Sequence, residues 1–167
     1  MARRFRGSDT FKVDAKGRVS IPAPFRRVIE ASDPDWKDGL RPNIVIVYGP
    51  EGQNWLEVYS MEAIHEMDEQ IALMQRGSPE RLLIEERMYG QSIESQIDDD
   101  GRLTIPQKLR EKLGLAGEAF FISAGDYFTI WSPGAYGERA SRRSRKYAAQ
   151  YDEDFDPRSL LPPLPRG

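Results

Sequence analysis

The sequence predicts a mostly β fold with helices, α+β in class, assembled from two related halves. Three observations carry this. A thirteen-residue segment occurs twice: residues 14–26 read DAKGRVSIPAPFR and residues 98–110 read DDDGRLTIPQKLR. Several short runs alternate apolar and polar residues, the period of a half-buried strand. One longer segment, 61–76, instead places apolar residues every three or four positions, the period of a helix.

Down the two copies six pairs are identical: Asp14/Asp98, Gly17/Gly101, Arg18/Arg102, Ile21/Ile105, Pro22/Pro106 and Arg26/Arg110. Val19/Leu103, Ser20/Thr104 and Phe25/Leu109 are conservative. Two copies are too few for a solenoid. They indicate a duplicated unit whose halves pack within one chain.

The elements follow in order. Thr10–Val13 alternates, Asp14–Gly17 is a turn with Gly17 at a left-handed position, and Arg18–Ile21 alternates again, so 11–21 reads as a β-hairpin. Pro22 ends the strand because it has no N–H for the ladder. Pro24 suits a first helical turn, and Phe25, Val28 and Ile29 form an apolar face over 24–30. Residues 31–42 are loop. NIVIVY (43–48) is a buried strand, GPEGQN a turn, and WLEVY (55–59) its partner. Ser60 caps the helix over 61–76, which Gly77 stops, and Ser78-Pro79 opens another over about 79–90.

The second copy repeats the plan: strand 92–97, turn 98–101, strand 102–105, short helix 107–113, a hairpin from Glu118–Ser123 and Tyr127–Trp131, and a last helix opened by Ser132-Pro133. From Tyr151 the chain is rich in proline and acids and reads as a tail without fixed structure. A hairpin with one helix is marginal alone. Two halves together supply about eight strands, enough for a small closed or split barrel.

A chain of 167 residues can bury a proper core without staples. It has no cysteine, hence neither disulfides nor a cysteine zinc site. No apolar run is long enough to span a membrane, and the basic start MARRFRGSDTF lacks the apolar stretch of a signal peptide. A cytoplasmic protein is expected. The net charge is −3, unevenly spread. Residues 1–27 hold eight basic side chains against Asp9 and Asp14, a net of +6, so the remainder carries −9. Such asymmetry suggests that the basic end meets a polyanion.

The pattern D-x-x-G-R-[VL]-[ST]-I-P followed by a short helix resembles the AbrB/SpoVT-type DNA-binding unit. Two copies separated by a helical hairpin resemble the MraZ family of bacterial transcriptional regulators over roughly residues 5–149, and Phe5-Arg6-Gly7 resembles how such proteins begin. The D-x-x-x-R element stands here as Asp14…Arg18 and Asp98…Arg102. The resemblance implies a pseudo-two-fold double-split β-barrel with peripheral helices. It implies units over 5–76 and 92–149, each with its following helix, joined by a connecting helix at 77–91, with a flexible tail at 150–167. It further implies a ring-like homo-oligomer, associated with the nucleoid, that binds double-stranded promoter DNA and represses the division and cell-wall gene cluster containing its own gene.

The copies differ in charge. Residues 10–29 carry a net +4 and the matching 94–113 a net −1, and the turn tip changes from Ala15-Lys16 to Asp99-Asp100. Phosphate repels an acidic tip, so the first copy is expected to touch DNA and the second to be its structural partner. Arg3, Arg4 and Arg6 are assigned to an arm or strand start free to enter a groove, where an arginine fork matches guanine. Lys12 and Lys16 suit phosphate. Arg18 has two readings, DNA contact or pairing with Asp14, because Arg102 persists in the acidic copy. Asp14, Gly17, Asp98, Gly101 and Arg102 are assigned to the turns themselves. The arginines of 139–146 read as exposed charge facing the acidic 152–156 stretch, with phosphate contact as the alternative.

No catalytic residue, metal site, cofactor or small-molecule substrate is expected. His65 is the only histidine and sits among Glu62, Glu66 and Glu69 on a helix, and no nucleophile or phosphate-loop motif is present. Asp98-Asp99-Asp100 lacks the alternate spacing of a calcium loop. The rival function is an antitoxin-like or protein-interaction module on the same fold.

Overall fold

A computed structural model describes residues 3–166. Gly167, the end of the expected tail, lies outside the described residues. The first repeat contributes β1 (Ser8–Lys12), β2 (Arg18–Ser20), α1 (Ala23–Ala31), β3 (Asn43–Val47) and β4 (Trp55–Ser60). α2 (Met61–Ala72) and α3 (Pro79–Glu85) follow, and α3 runs into a π-helical turn, Glu86–Gly90. The second repeat contributes β5 (Ser92–Gln96), β6 (Arg102–Thr104), α4 (Gln107–Leu113), β7 (Glu118–Ser123), β8 (Tyr127–Trp131) and α5 (Pro133–Gln150). A short 3-10 turn spans Pro157–Leu160.

Helices and strands make a mixed α+β fold with antiparallel pairing throughout. One sheet runs β1-β7-β8-β4-β3-β5, and a separate two-stranded ribbon joins β2 to β6. The order is palindromic in the repeats: β1 pairs β7 as β5 pairs β3, and β4 meets β8 at the centre. Across that centre Trp55 stacks on Trp131 and Tyr59 on Tyr127, with ring centroids 4.9 and 4.8 Å apart.

The expected hairpin over 11–21 is therefore corrected. β1 and β2 flank one turn, but each pairs with the other repeat, and β5 and β6 behave alike. A self-paired repeat would leave a marginal two-stranded unit. Exchanging partners buries Val19 and Leu103 completely and extends the sheet to six strands. The hairpins β3–β4 and β7–β8 form as expected.

One continuous core fills the space between sheet, ribbon, α1 and α4. Phe5, Phe25, Phe121 and Phe128 meet there in edge-on, tilted and stacked pairs, with centroids 5.0–5.3 Å apart. A second cluster packs Ile64 and Ile71 of α2 and Met88 against Val45, Val47 and Tyr59. Ser60, Ser78 and Ser132 each accept a hydrogen bond from the N–H three residues on, capping α2, α3 and α5.

α2 ends at Ala72, before the expected 76, and Met74 lies in the following turn. Within the tail, Tyr151 stacks on Phe155 at 4.1 Å, and Asp156 caps the 3-10 turn. None of the helices is long and apolar enough to cross a membrane among the described residues.

Candidate nucleic-acid interface

The ribbon is the element both repeats build jointly. Its register sets Arg18 against Thr104, Val19 against Leu103 and Ser20 against Arg102. Alternation turns Val19 and Leu103 into the core and leaves Arg18, Ser20, Arg102 and Thr104 on the other face. A two-stranded β-ribbon with a polar face has the width that a DNA major groove admits.

A turn precedes each strand. In the first, Asp14 Oδ1 accepts the N–H of Lys16 (3.0 Å) and of Arg18 (2.8 Å), while Oδ2 takes the Arg18 Nε–H at 2.6 Å. The Arg18 N–H bond and the guanidinium hold the Asp14 carboxyl below its ordinary value, against desolvation. In the second turn, Asp98 Oδ1 accepts from Asp100 N–H and Arg102 N–H, both at 2.9 Å, and Oδ2 lies 3.4 Å from Arg102 Nε. Desolvation pushes Asp98 up, but those N–H bonds and Arg102 outweigh it and leave the carboxyl lowered.

Gly17 and Gly101 follow with φ of +84° and +75°, a region that side chains disfavour. Each presses on the other repeat. A Cβ on Gly17 would lie 2.4 Å from Ile105 O and 2.6 Å from Arg110 Nε. One on Gly101 would lie 3.0 Å from the Arg26 side chain. Ile105 N–H donates to Gly17 O at 2.8 Å, and Ile21 N–H to Gly101 O at 2.9 Å. Arg110 Nε donates to Ile105 O at 3.0 Å, and Arg26 Nε to Ile21 O at 3.3 Å. Pro22 and Pro106 precede α1 and α4 as N-caps. All six identical pairs thus lie in this reciprocal joint.

The turn tips diverge. Lys16 is exposed, and no ion pair among the described residues includes it. Asp99 is gripped by Arg41 through two 3.0 Å bonds, which lower its carboxyl, and Asp100 pairs with Arg102 Nη2 at 3.0 Å. The two ends of the ribbon therefore differ: one carries an exposed lysine, the other carboxylates engaged by arginines.

The assigned residues fall into two groups. Lys12, Asp14, Arg18, Ser20 and Arg102 line one groove with Glu118, which stands opposite Lys12 in the β1–β7 register. Arg3 and Arg4 line a different recess with Glu62, Glu66 and Asp126, and Arg4 pairs with Asp126 at 3.2 Å. The arm is not free: Phe5 is 2% exposed, its N–H donates to Gly125 O at 2.8 Å, and its ring packs on Phe25 and Phe128. Arg6 is exposed between Phe5 and β1.

The 139–146 arginines do not form ion pairs with the 152–156 acids among the described residues. Arg139 instead lies over Trp55 and Trp131 at 5.0 and 5.2 Å, and Asp156 pairs with Arg158. Sequence reasoning gave Arg26 and Arg110 no role beyond positive charge, although they form one of the identical pairs. Their identity at matching positions was the available signal.

An interlocked duplicate with a polar ribbon and one basic turn offers a face that suits a nucleic-acid-binding protein. A family model described as "MraZ protein, putative antitoxin-like" matches residues 4–83 and 88–156. The chain is 50% identical over 161 residues to the transcriptional regulator MraZ of Ruegeria pomeroyi, covering 96% of each chain. It is 51% identical to that of a Ruegeria strain over the same length and coverage. It is 42% identical over 143 residues to that of Cereibacter sphaeroides, covering 81% of this chain and 84% of the relative. The chain belongs to the MraZ family of transcriptional regulators. These relatives are named as regulators, not as enzymes.

Proposed function

We propose that this regulator is a cytoplasmic, nucleoid-associated repressor. It binds double-stranded promoter DNA ahead of the division and cell-wall gene cluster that contains its own gene. One observation carries the reading: among the described residues, the interlocked ribbon ends in a Lys16 without an ion pair on one side and in carboxylates held by arginines on the other. DNA then meets one basic turn per chain, with Lys16 and Lys12 on phosphate and Arg6 the freest arginine for a base edge. Arg18 serves the turn through Asp14 while sharing the ribbon face. Arg3 and Arg4 approach DNA only by leaving their acidic neighbours. One basic turn per chain makes repeated DNA boxes accessible through a ring-like homo-oligomer of double-split barrels.

The test is a mobility shift on DNA immediately upstream of its gene across a salt series. Affinity should fall steeply, with a log–log slope of about −0.9 per phosphate neutralised. Weak or salt-insensitive binding contradicts the reading. The antitoxin-like wording of the family description favours a second reading, a protein-interaction module on the same fold, and that result would select it.

A further inference from the structure

The two turns are secured differently. Arg41 grips the Asp99 carboxylate of the second turn from the loop after α1. The first turn has Ala15 at the matching position, so no such grip is available. Beyond the bonds to its own Asp14, what holds it comes from the second repeat. The Arg110 guanidinium lies against Gly17, donates from Nε to Ile105 O, and reaches Ala15 O with Nη1 at 3.5 Å. Ile105 N–H donates to Gly17 O. Lys16 stands between the two carbonyls so held.

We infer that Arg110, in the repeat that faces away from DNA, is the positioning residue for the DNA-contacting turn of the other repeat. This rests on the first turn being the DNA surface. Arg110 acts crosswise: Nη1 reaches Ala15 O and Nε holds Ile105, whose N–H bonds Gly17 O, and together these set the direction in which Lys16 leaves the backbone. Arg26, although it lies in the DNA-contacting repeat, does the corresponding work for the acidic turn at Gly101. The residue nearer in sequence to the DNA surface is the one less needed for binding.

The role depends on a planar donor array, which lysine lacks. That separates positioning from direct phosphate contact, where lysine would substitute. The experiment compares full-length wild type, Arg110→Ala, Arg110→Lys, Arg26→Ala and Lys16→Ala at a temperature where all are folded. Affinity for the upstream DNA is read by fluorescence anisotropy. Hydrogen exchange is read at the Lys16 and Arg18 amides, which donate to Asp14, and at the Asp100 and Arg102 amides, which donate to Asp98.

Arg110→Ala should weaken binding about tenfold, the worth of one hydrogen bond from a charged donor. It should speed exchange at Lys16 and Arg18 only, and Arg110→Lys should restore neither. Arg26→Ala should speed exchange at Asp100 and Arg102 and bind DNA within about twofold of wild type, inside the spread of a single lost surface contact. Restoration of binding by Arg110→Lys overturns the inference, as do equal binding losses in Arg110→Ala and Arg26→Ala or exchange that rises in both turns together. Wild-type binding by Lys16→Ala would instead remove the DNA assignment, and the crosswise exchange pattern alone would then decide whether Arg110 sets the turn.

Discussion

Replacing Gly17 by alanine probes the joint where the repeats meet. Three glycines form a graded series. Gly52 has φ +94° with nothing within 4 Å of a new Cβ, so Gly52→Ala meets only the left-handed backbone, about 1 kcal/mol. Gly101→Ala adds a 3.0 Å approach to the Arg26 side chain, which can swing away. Gly17→Ala places Cβ 2.4 Å from a backbone carbonyl, Ile105 O, so the ribbon itself must part. Parting it forfeits the Ile105 N–H bond to Gly17 O, about 1 kcal/mol, and the Arg110 bond to Ile105 O, about 1.5 kcal/mol. With the backbone term the loss is about 3.5 kcal/mol. At about 2–4 °C per kcal/mol for this size, Gly17→Ala should melt about 7–14 °C below wild type and Gly52→Ala about 2–4 °C below, with Gly101→Ala between. Thermal unfolding followed by circular dichroism reads the series. If Gly17→Ala melts with Gly52→Ala, the two repeats do not interlock at this glycine.

Phe5→Ala should cost about 3–5 kcal/mol, roughly 6–20 °C in melting temperature, because the ring is buried between Phe25 and Phe128; a melt near wild type would mean that the N-terminal segment is not anchored. Arg18→Ala should lower both melting temperature and DNA affinity, with a smaller thermal loss than Gly17→Ala; an unchanged melting curve would make Arg18 a pure DNA contact. The folded state holds the Asp14, Asp98 and Asp99 carboxyls below the ordinary 3.8, so the stability they add is full above that value and is lost as pH falls through their lowered values. Melting temperature should therefore drop with acidification below about pH 4, less steeply in Asp98→Asn; parallel curves would remove Asp98 as a source of the acid sensitivity.

What could be read in the sequence was what is local. Ser60, Ser78 and Ser132 cap helices where their positions indicate, and β3–β4 and β7–β8 pair because short turns join neighbouring strands. The partners of β1 and β2 were not legible. Alternation states which side chains turn inward, and Val19 and Leu103 do, but it is blind to which strand lies alongside. Charge counting separated the two turn tips, Lys16 from Asp100, yet it placed Arg26 and Arg110 with the free cations. Both donate instead to the carbonyl five residues back, Ile21 and Ile105, and it is only their approach to the glycine of the other repeat that depends on strands 84 residues apart in the chain.

The central claim is that one joint serves both repeats while only the first turn meets DNA. Salt titration of upstream-DNA binding for wild type, Lys16→Ala and Asp100→Ala tests it most directly. Lys16→Ala should bind more weakly with a slope shallower by about 0.9 per bound turn, and Asp100→Ala should keep at least wild-type affinity and slope. A wild-type slope in Lys16→Ala, or matched losses in both variants, would contradict the division of labour between the turns.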